Sequence, residues 1–228
     1  MQKRLVRKLD LEMFLSRVKP HPSPRASLEQ YTIPVDVAVT MLQIAAYSND
    51  DIIGKRVLDL GCGTGRLALG ASFLGAEEAV GVDIDKTAVK TAQENTRQTD
   101  FQRRTQWVAA DIGVVHGRFD TVLQNPPFGV QRRGADRKFL AKAIEAGKRV
   151  YSLHKSLGRD EEFANRSYRN RALIRQSAPS PFLKNFIGEH GGTVRAVYSM
   201  MMAIPHMFSF HTKHKHQFIV DLYIIESR

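Results

Sequence analysis

The sequence predicts an α/β protein built on a mostly parallel sheet. Two observations favour this class: short runs rich in apolar residues alternate with helical stretches, and the first run ends in a glycine-rich turn. Apolar strands that alternate with helices are typical of parallel sheets that helices cover on both faces. We therefore expect seven strands with helices on both faces, the last strand being antiparallel.

The alternation can be followed element by element. The runs that we interpret as parallel strands are residues 56–60, 79–83, 106–109, 119–124 and 149–153. Helical spacing of apolar residues occurs over 34–47, 67–74, 86–98 and 136–147. Two β-rich runs, 194–203 and 217–225, follow each other without a helix between them. These two runs can pair in antiparallel fashion.

Charge and proline divide the chain. The first 27 residues hold seven Lys or Arg and two acids. A helix is predicted over 3–16, with Leu5, Leu9 and Met13 on one side, and three prolines between Lys19 and Arg25 end it. We expect a basic N-terminal arm (1–27) and a single domain (28–228), with a basic insertion around 155–190.

Composition limits the classes of protein. The 34 Lys and Arg exceed the 23 Asp and Glu, giving a formal net charge of +11 in 228 residues, which favours a nucleic-acid partner over solubility alone. No apolar run approaches a membrane span, so we expect no membrane association. The single cysteine, Cys62, excludes an internal disulfide framework and fits a cytoplasmic protein.

The run DLGCGTG, residues 59–65, is the most informative motif. It joins a predicted strand to a helix, and glycines there let a ligand approach the backbone closely. Asp83 ends the next strand, where a carboxylate can bind both hydroxyls of a ribose. Asp111 follows the third strand. Each aspartate could instead cap a helix, but in this order they predict a pocket for an adenosine-containing cofactor.

The glycine spacing identifies the cofactor by resemblance. The run lacks the Lys-Ser/Thr ending of a phosphate loop and departs from the G-x-G-x-x-G dinucleotide spacing. It resembles the Rossmann-like class I methyltransferases that use S-adenosyl-L-methionine. That resemblance implies that the loop cradles the methionine part of the cofactor and that Asp111 lies near its adenine amino group. The implied loop residues are Asp59, Gly61, Gly63, Thr64 and Gly65.

A second motif follows the fourth strand directly. Asn125, Pro126, Pro127 and Phe128 resemble the Asn/Asp-Pro-Pro-Tyr/Phe signature of amino-directed methyltransferases. The Asn125 side-chain oxygen and the Pro126 carbonyl can each accept an N–H hydrogen bond from an amine. Phe128 offers a face on which a flat acceptor can stack. The alternative is a rigid turn with a buried Phe, but the carboxyl end of a parallel strand is where ligands bind.

The motif admits several acceptors: adenine N6, cytosine N4, guanine N2 and a glutamine side-chain amide. Net charge favours nucleic acid. Basic residues that could contact phosphates crowd the segments after the motif, and the alternative is a solvated basic face. They are Arg132, Arg133, Arg137, Lys138, Lys155, Arg159, Arg166, Arg169, Arg171 and Arg175.

From about Leu28 onward the chain resembles one subfamily, the methyltransferase-like protein five group and its archaeal relatives. The strings that carry the resemblance are LEQYT (28–32), DLGCG (59–63), GVDID (81–85), NPPFG (125–129), YSLHKS (151–156) and FHTKHK (210–215). The resemblance implies that Gln30, Tyr31 and Thr32 close over the cofactor. It also implies an adenine of small-subunit ribosomal RNA as substrate and a small zinc-binding activator protein as partner.

We therefore expect an enzyme, an RNA adenine-N6 methyltransferase. One alternative is an N5-glutamine methyltransferase of a translation factor, and another is a non-catalytic RNA-binding assembly factor that keeps the pocket. We expect no metal site: His211, His214 and His216 are interleaved with lysines and lack carboxylate or Cys companions, which favours an RNA-contacting loop.

Overall fold

A computed structural model describes residues 5–129, 134–156, 163, 174–205 and 215–228. The strands are β1 (Arg56–Leu60), β2 (Glu78–Asp83), β3 (Thr105–Ala109), β4 (Phe119–Gln124), β5 (Gly147–Lys155), β6 (Ile174–Gln176), β7 (Gly192–Pro205) and β8 (Lys215–Ser227). The helices are α1 (Lys8–Ser16), α2 (Val35–Gln43), α3 (Arg66–Leu74), α4 (Lys86–Arg97), α5 (Ala135–Ala146) and α6 (Pro181–Glu189). Short helical turns occupy Ala26–Leu28, Ile44–Ser48 and Ile112–Val114.

All eight strands form one sheet in the order β3-β2-β1-β4-β5-β8-β7-β6. The first five in this order are parallel, whereas β8 pairs antiparallel with both β5 and β7. The predicted α/β class, with its mostly parallel sheet and C-terminal antiparallel strand, is confirmed. Among the described residues the sheet has eight strands instead of the expected seven, because β6 pairs with β7 at the edge. The three residues of β6 are all exposed, so the sequence has no apolar pattern there that would predict a strand.

The central strands are buried because both faces of the sheet are covered. Val57, Leu58 and Leu60 of β1 have no exposed surface. One apolar cluster joins the sheet to α1, α2 and α3, and a second joins it to α5 and α6. This two-sided cover explains why the central parallel strands are rich in apolar residues.

The N-terminal helix packs differently from the prediction. Leu5, Leu9 and Met13 are 71%, 58% and 50% exposed, whereas Leu11 and Leu15 are fully buried in the cluster with α2 and α3. The helix has apolar residues on two sides, and periodicity alone does not show which side meets the domain. Helix α1 also begins at Lys8, whereas the prediction began at residue 3. Residues 1–4 lie outside the described part of the chain.

The parallel arrangement brings the carboxyl ends of β1, β2, β3 and β4 to one edge of the sheet. Residues 61–65, Asp83, Asp111 and Asn125 follow or end these four strands. The two motifs and the two aspartates that were identified separately along the chain therefore lie at the same edge.

Candidate active site

A cavity of about 410 Å³ lies at this edge, within the size range of small-molecule sites. It is bounded by three walls. One is the glycine loop (residues 61–65) with the aspartates around it. The second is the acceptor loop (residues 125–128). The third is a segment of the N-terminal region that we name the strap (residues 21–33). Of the predicted site residues, those lining the cavity are Gln30, Tyr31, Thr32, Asp59, Gly61, Gly63, Thr64, Asp83, Asp111, Asn125 and Pro127. Gly65, Pro126 and Phe128 do not line it.

The glycine loop requires glycine for conformation and for space. Gly61 and Gly65 have φ values of +75° and +89°, which other residues adopt rarely. A Cβ added at Gly61 would fall 2.7 Å from the ring of Phe139, and one at Gly65 would fall 2.3 Å from the ring of Trp107. The loop therefore turns tightly into α3.

Asp59 stabilises this turn from below. Its carboxylate accepts the Ala68 N–H of the first turn of α3 at 2.9 Å and is 1% exposed. Burial raises the pKa of Asp59 to about 7. The contact is to the helix, which gives Asp59 a supporting position beneath the loop.

Asp83 is held by two backbone donors. One carboxylate oxygen accepts the Gly63 N–H and the other accepts the Asp85 N–H, both at 2.8 Å. Burial raises the pKa of Asp83. Helix α4 is capped by Asp85, whose side chain accepts the Thr87 N–H, so capping is not the role of Asp83. Each Asp83 oxygen keeps a lone pair for a further donor.

Asp111 does act as a cap. Its side chain accepts the Gly113 N–H at 2.7 Å, at the start of the turn Ile112–Val114. Lys138 Nζ of α5 lies 3.1 Å from the same carboxylate. Both partners line the cavity. Asp111 therefore caps this turn and also lines the cavity at the end predicted to hold the adenine.

The strap covers the cavity and is anchored on Asp85. Gln30 Nε2 and Arg25 donate to one oxygen of this carboxylate at 2.7 and 2.8 Å, and His21 Nε2 lies 3.3 Å from it. Although burial alone would raise it, these hydrogen bonds hold the pKa of Asp85 well below its ordinary value. Because Asp85 is two residues from Asp83, the strap is fixed beside the predicted ribose position.

The acceptor loop presents an unsatisfied oxygen. Within the described part of the chain, six buried side-chain atoms have no hydrogen-bond partner, and three of them are oxygens of the cavity wall: Asn125 Oδ1, Tyr31 Oη and Thr64 Oγ1. All three residues line the cavity. Buried polar atoms normally have partners, so these three atoms indicate a polar ligand. The Phe128 ring stacks on Tyr31, with ring centroids 5.6 Å apart.

A buried polar chain lies beneath the acceptor loop. Gln124 Nε2 donates to Ser152 Oγ at 2.8 Å, and this oxygen lies 2.8 Å from His154 Nε2. Burial lowers the pKa of His154 to about 4, so the ring is neutral at pH 7. The unusual YSLHK string is thereby placed in contact with the residue that precedes Asn125.

Sequence reasoning missed several residues of the cavity wall, among them His21, Glu29, Arg66 and Phe139. It named Lys138 only as a possible phosphate contact, whereas Lys138 lines the cavity beside Asp111. Arg66 carried a usable signal, since it is the one charged residue in α3. It donates to the carbonyls of Ile33 and Val18, and burial lowers its pKa to about 10. Glu29 lies in the LEQYT string that carries the family resemblance, but no local pattern indicated a role for it or for His21, because the strap lacks periodicity.

Other predicted features fall largely outside the described residues. Besides residues 1–4, four segments lie outside the described residues: 130–133, 157–162, 164–173 and 206–214. They include part of the basic insertion, and the predicted residues in them are Arg132, Arg133, Arg159, Arg166, Arg169, Arg171, His211 and His214. In the part that the structure describes, no group of three or more His, Cys, Asp or Glu could hold a metal ion. None of the helices described is both long and apolar enough to cross a membrane.

Comparisons with known proteins show which proteins this chain is similar to. The family model of ribosomal protein L11 methyltransferase (PrmA) matches residues 37–126. An uncharacterized protein of Methanocaldococcus jannaschii is 34% identical over 97% of the chain and 95% of its own length. The rRNA N(6)-adenosine-methyltransferase METTL5 of Danio rerio is 40% identical over 66% of the chain and 75% of its own length.

One solved structure matches this chain over nearly the full length of both proteins. A protein of Pyrococcus horikoshii, provisionally described as an RNA methyltransferase, has a TM-score of 0.80 and 37% sequence identity. The match covers 98% of the present chain and 99% of that one.

Proposed function

The chain belongs to the METTL5 family of methyltransferases, and on this premise we propose that it methylates the N6 atom of an adenine in small-subunit ribosomal RNA. The observation that carries the proposal is the buried Asn125 Oδ1, which has no partner among the described residues and belongs to the same cavity wall as Asp83 and the glycine loop. An acceptor atom in that place suits an exocyclic amine.

The enzyme uses S-adenosyl-L-methionine, whose sulfonium supplies an electrophilic methyl group. In our proposal Asp83 accepts the ribose hydroxyls with its remaining lone pairs, and Asp111 accepts from the adenine amino group. Gly61, Gly63 and Thr64 surround the methionine part, while Gln30, Tyr31 and Thr32 close the strap over it. Three buried oxygens of the cavity wall, which have no partner among the described residues, support this assignment.

The acceptor loop orients the amine. Asn125 Oδ1 and the Pro126 carbonyl each accept one N–H, so that the nitrogen lone pair faces the methyl group. Phe128, braced by Tyr31 and by an edge contact with Phe218, offers a rigid ring beside the acceptor base. Positioning of this kind supplies much of a rate gain. Acceptors also meet the positive charge that develops on nitrogen, and the proton then passes to water.

RNA is a better substrate than a protein glutamine for two reasons. The net charge of +11 suits a polyanion. The similarity to a protein methyltransferase model ends at residue 126, just inside the acceptor loop, whereas the similarity to METTL5 relatives continues beyond it. From the family resemblance we also propose a small zinc-binding activator protein as partner and the cytoplasm as location.

Incubation of the purified chain with methyl-tritiated S-adenosyl-L-methionine and small ribosomal subunits from a deletion strain tests the substrate. We expect label in N6-methyladenosine after nuclease digestion, and none with Asn125→Ala. Label in a protein would favour the glutamine alternative. Absence of label with the wild-type chain, with and without a zinc-binding activator, would favour the assembly factor.

A further inference from the structure

Glu29 of the strap adopts a backbone conformation that is unusual for its residue type. Its φ is +51°, in the left-handed region that favours glycine. It follows the turn Ala26–Leu28 and donates its N–H to the Ala26 carbonyl at 2.9 Å. Such conformations persist where the surrounding structure fixes them, and they cluster at functional sites.

The acceptor loop has few backbone groups by which it can be held. Pro126 and Pro127 carry no N–H, so the first backbone donor after Asn125 is that of Phe128. The Phe128 N–H donates to Glu29 Oε2 at 2.7 Å. A carboxylate acceptor makes this a charge-assisted bond. The direction of the peptide that ends the Pro-Pro segment therefore depends on a side chain that lies 99 positions away.

The neighbours of Glu29 hold the two ends of the cavity. Tyr31 stacks on the Phe128 ring, and Gln30 is bonded to Asp85 at 2.7 Å. Glu29 itself lines the cavity. Glu29 and Tyr31 therefore contact the acceptor loop, the first through the Phe128 N–H and the second through the Phe128 ring. Gln30, between them, is bonded at the predicted ribose end of the cavity.

We propose that Glu29 is a positioning residue for methyl transfer, which fixes Asn125 Oδ1 and the Pro126 carbonyl by holding the Phe128 N–H. The expected effect on kcat rests on the proposed function, RNA methylation. The carboxylate acts through the loop and needs no contact with the reacting atoms.

Four variants separate the side chain from the backbone strain. Glu29→Gly removes the carboxylate and relaxes the left-handed turn, whereas Glu29→Ala removes it and keeps the strain. Glu29→Gln keeps an oxygen that can accept the Phe128 N–H. Asp50→Gly is the matched control, since Asp50 has a φ of +55° away from the cavity.

We expect kcat for RNA methylation to fall about 10- to 100-fold in the Ala and Gly variants, the size of effect that a misplaced catalytic group produces. The cofactor affinity of these variants, measured by calorimetry, should change less than about threefold. The Glu29→Gln variant should keep kcat within about fivefold of wild type, because its side chain can still accept the Phe128 N–H. Asp50→Gly should leave kcat unchanged. Wild-type kcat in Glu29→Gly, or an equal loss in Asp50→Gly, would overturn the proposal.

Amide hydrogen exchange provides a readout that does not depend on the substrate. The Phe128 amide should exchange about tenfold faster or more in Glu29→Gly than in wild type or Asp50→Gly. Unchanged exchange would show that Glu29 does not hold the loop. If the wild-type chain methylates no RNA, the proposed function fails, and exchange alone still decides whether Glu29 holds the acceptor loop.

Discussion

The two ligand-binding walls of the cavity differ in how their polar groups are satisfied. The cofactor wall consists of the glycine loop and the aspartates around it, and the acceptor wall is the acceptor loop. On the cofactor wall, the carboxylates of Asp59 and Asp83 accept three backbone N–H bonds, from Ala68, Gly63 and Asp85. On the acceptor wall, Asn125 Oδ1 has no partner among the described residues, and the loop is held through the side chain of Glu29. The two carboxylates of the first wall are bonded before any ligand binds, and of the glycine loop only Thr64 Oγ1 lacks a partner among the described residues. We expect a ligand to complete the second wall, so changes on the two walls should affect different steps.

The largest expected effect is that of Asn125→Ala. Removing an acceptor that acts on the reacting amine should lower kcat about 100- to 1,000-fold, as loss of one preorganised hydrogen-bonding group does in other enzymes. Cofactor affinity measured by calorimetry should persist, because the cofactor wall is unchanged. A parallel loss of cofactor affinity would show that the two walls are not separable.

Asp83→Ala should produce the opposite pattern. Loss of hydrogen bonds to a charged acceptor should weaken cofactor binding about 10- to 100-fold by calorimetry. The RNA dissociation constant, measured without cofactor by filter binding, should be unchanged. Unaltered cofactor affinity would reject the placement of the ribose at Asp83.

Tyr31→Phe tests whether the unpartnered atoms serve ligands. Burial raises the pKa of Tyr31 well above its ordinary value, with the nearby Glu29 adding to the shift, so the hydroxyl is neutral. Its removal should leave the thermal midpoint unchanged or higher, because a buried unsatisfied group is lost. The value of kcat/KM for RNA should nevertheless fall about fivefold. A lower midpoint with unchanged kcat/KM would indicate a purely structural hydroxyl.

The smallest expected effect concerns pH and the support beneath the acceptor wall. Burial lowers the pKa of His154 to about 4 from an unfolded value near 6.5. The unfolded chain therefore binds more protons between these values, and the stability that His154 contributes is lost as pH falls from about 6.5 towards 4. His154→Gln should flatten this dependence by up to about 1.4 kcal/mol per pH unit.

The pH test compares each protein with itself. Denaturant midpoints at pH 7 and pH 5 should differ less in His154→Gln than in wild type. The exposed His190→Gln is the control, and its difference should match that of wild type. Equal differences in all three proteins would contradict a buried neutral His154.

The cofactor wall could be predicted from sequence because its parts are local. Asp59 and the glycines lie within seven residues, and apolar runs mark the strands that place Asp83 and Asp111 beside them. The strap could be assigned only by resemblance, since Gln30 meets Asp85 across 55 positions and Glu29 meets Phe128 across 99. Likewise, no local pattern showed that Leu11 and Leu15 would be buried in place of Leu5 and Leu9.

These predictions depend on the proposal that Asn125 presents an adenine amine to the cofactor pocket. A crystal structure of the complex with a non-reactive cofactor analogue and an adenine-containing RNA fragment would decide it. We expect the adenine N6 at hydrogen-bond distance, about 3 Å, from Asn125 Oδ1, with the ribose of the analogue on Asp83. An acceptor loop turned away from the glycine loop, or an adenine bound elsewhere, would contradict it.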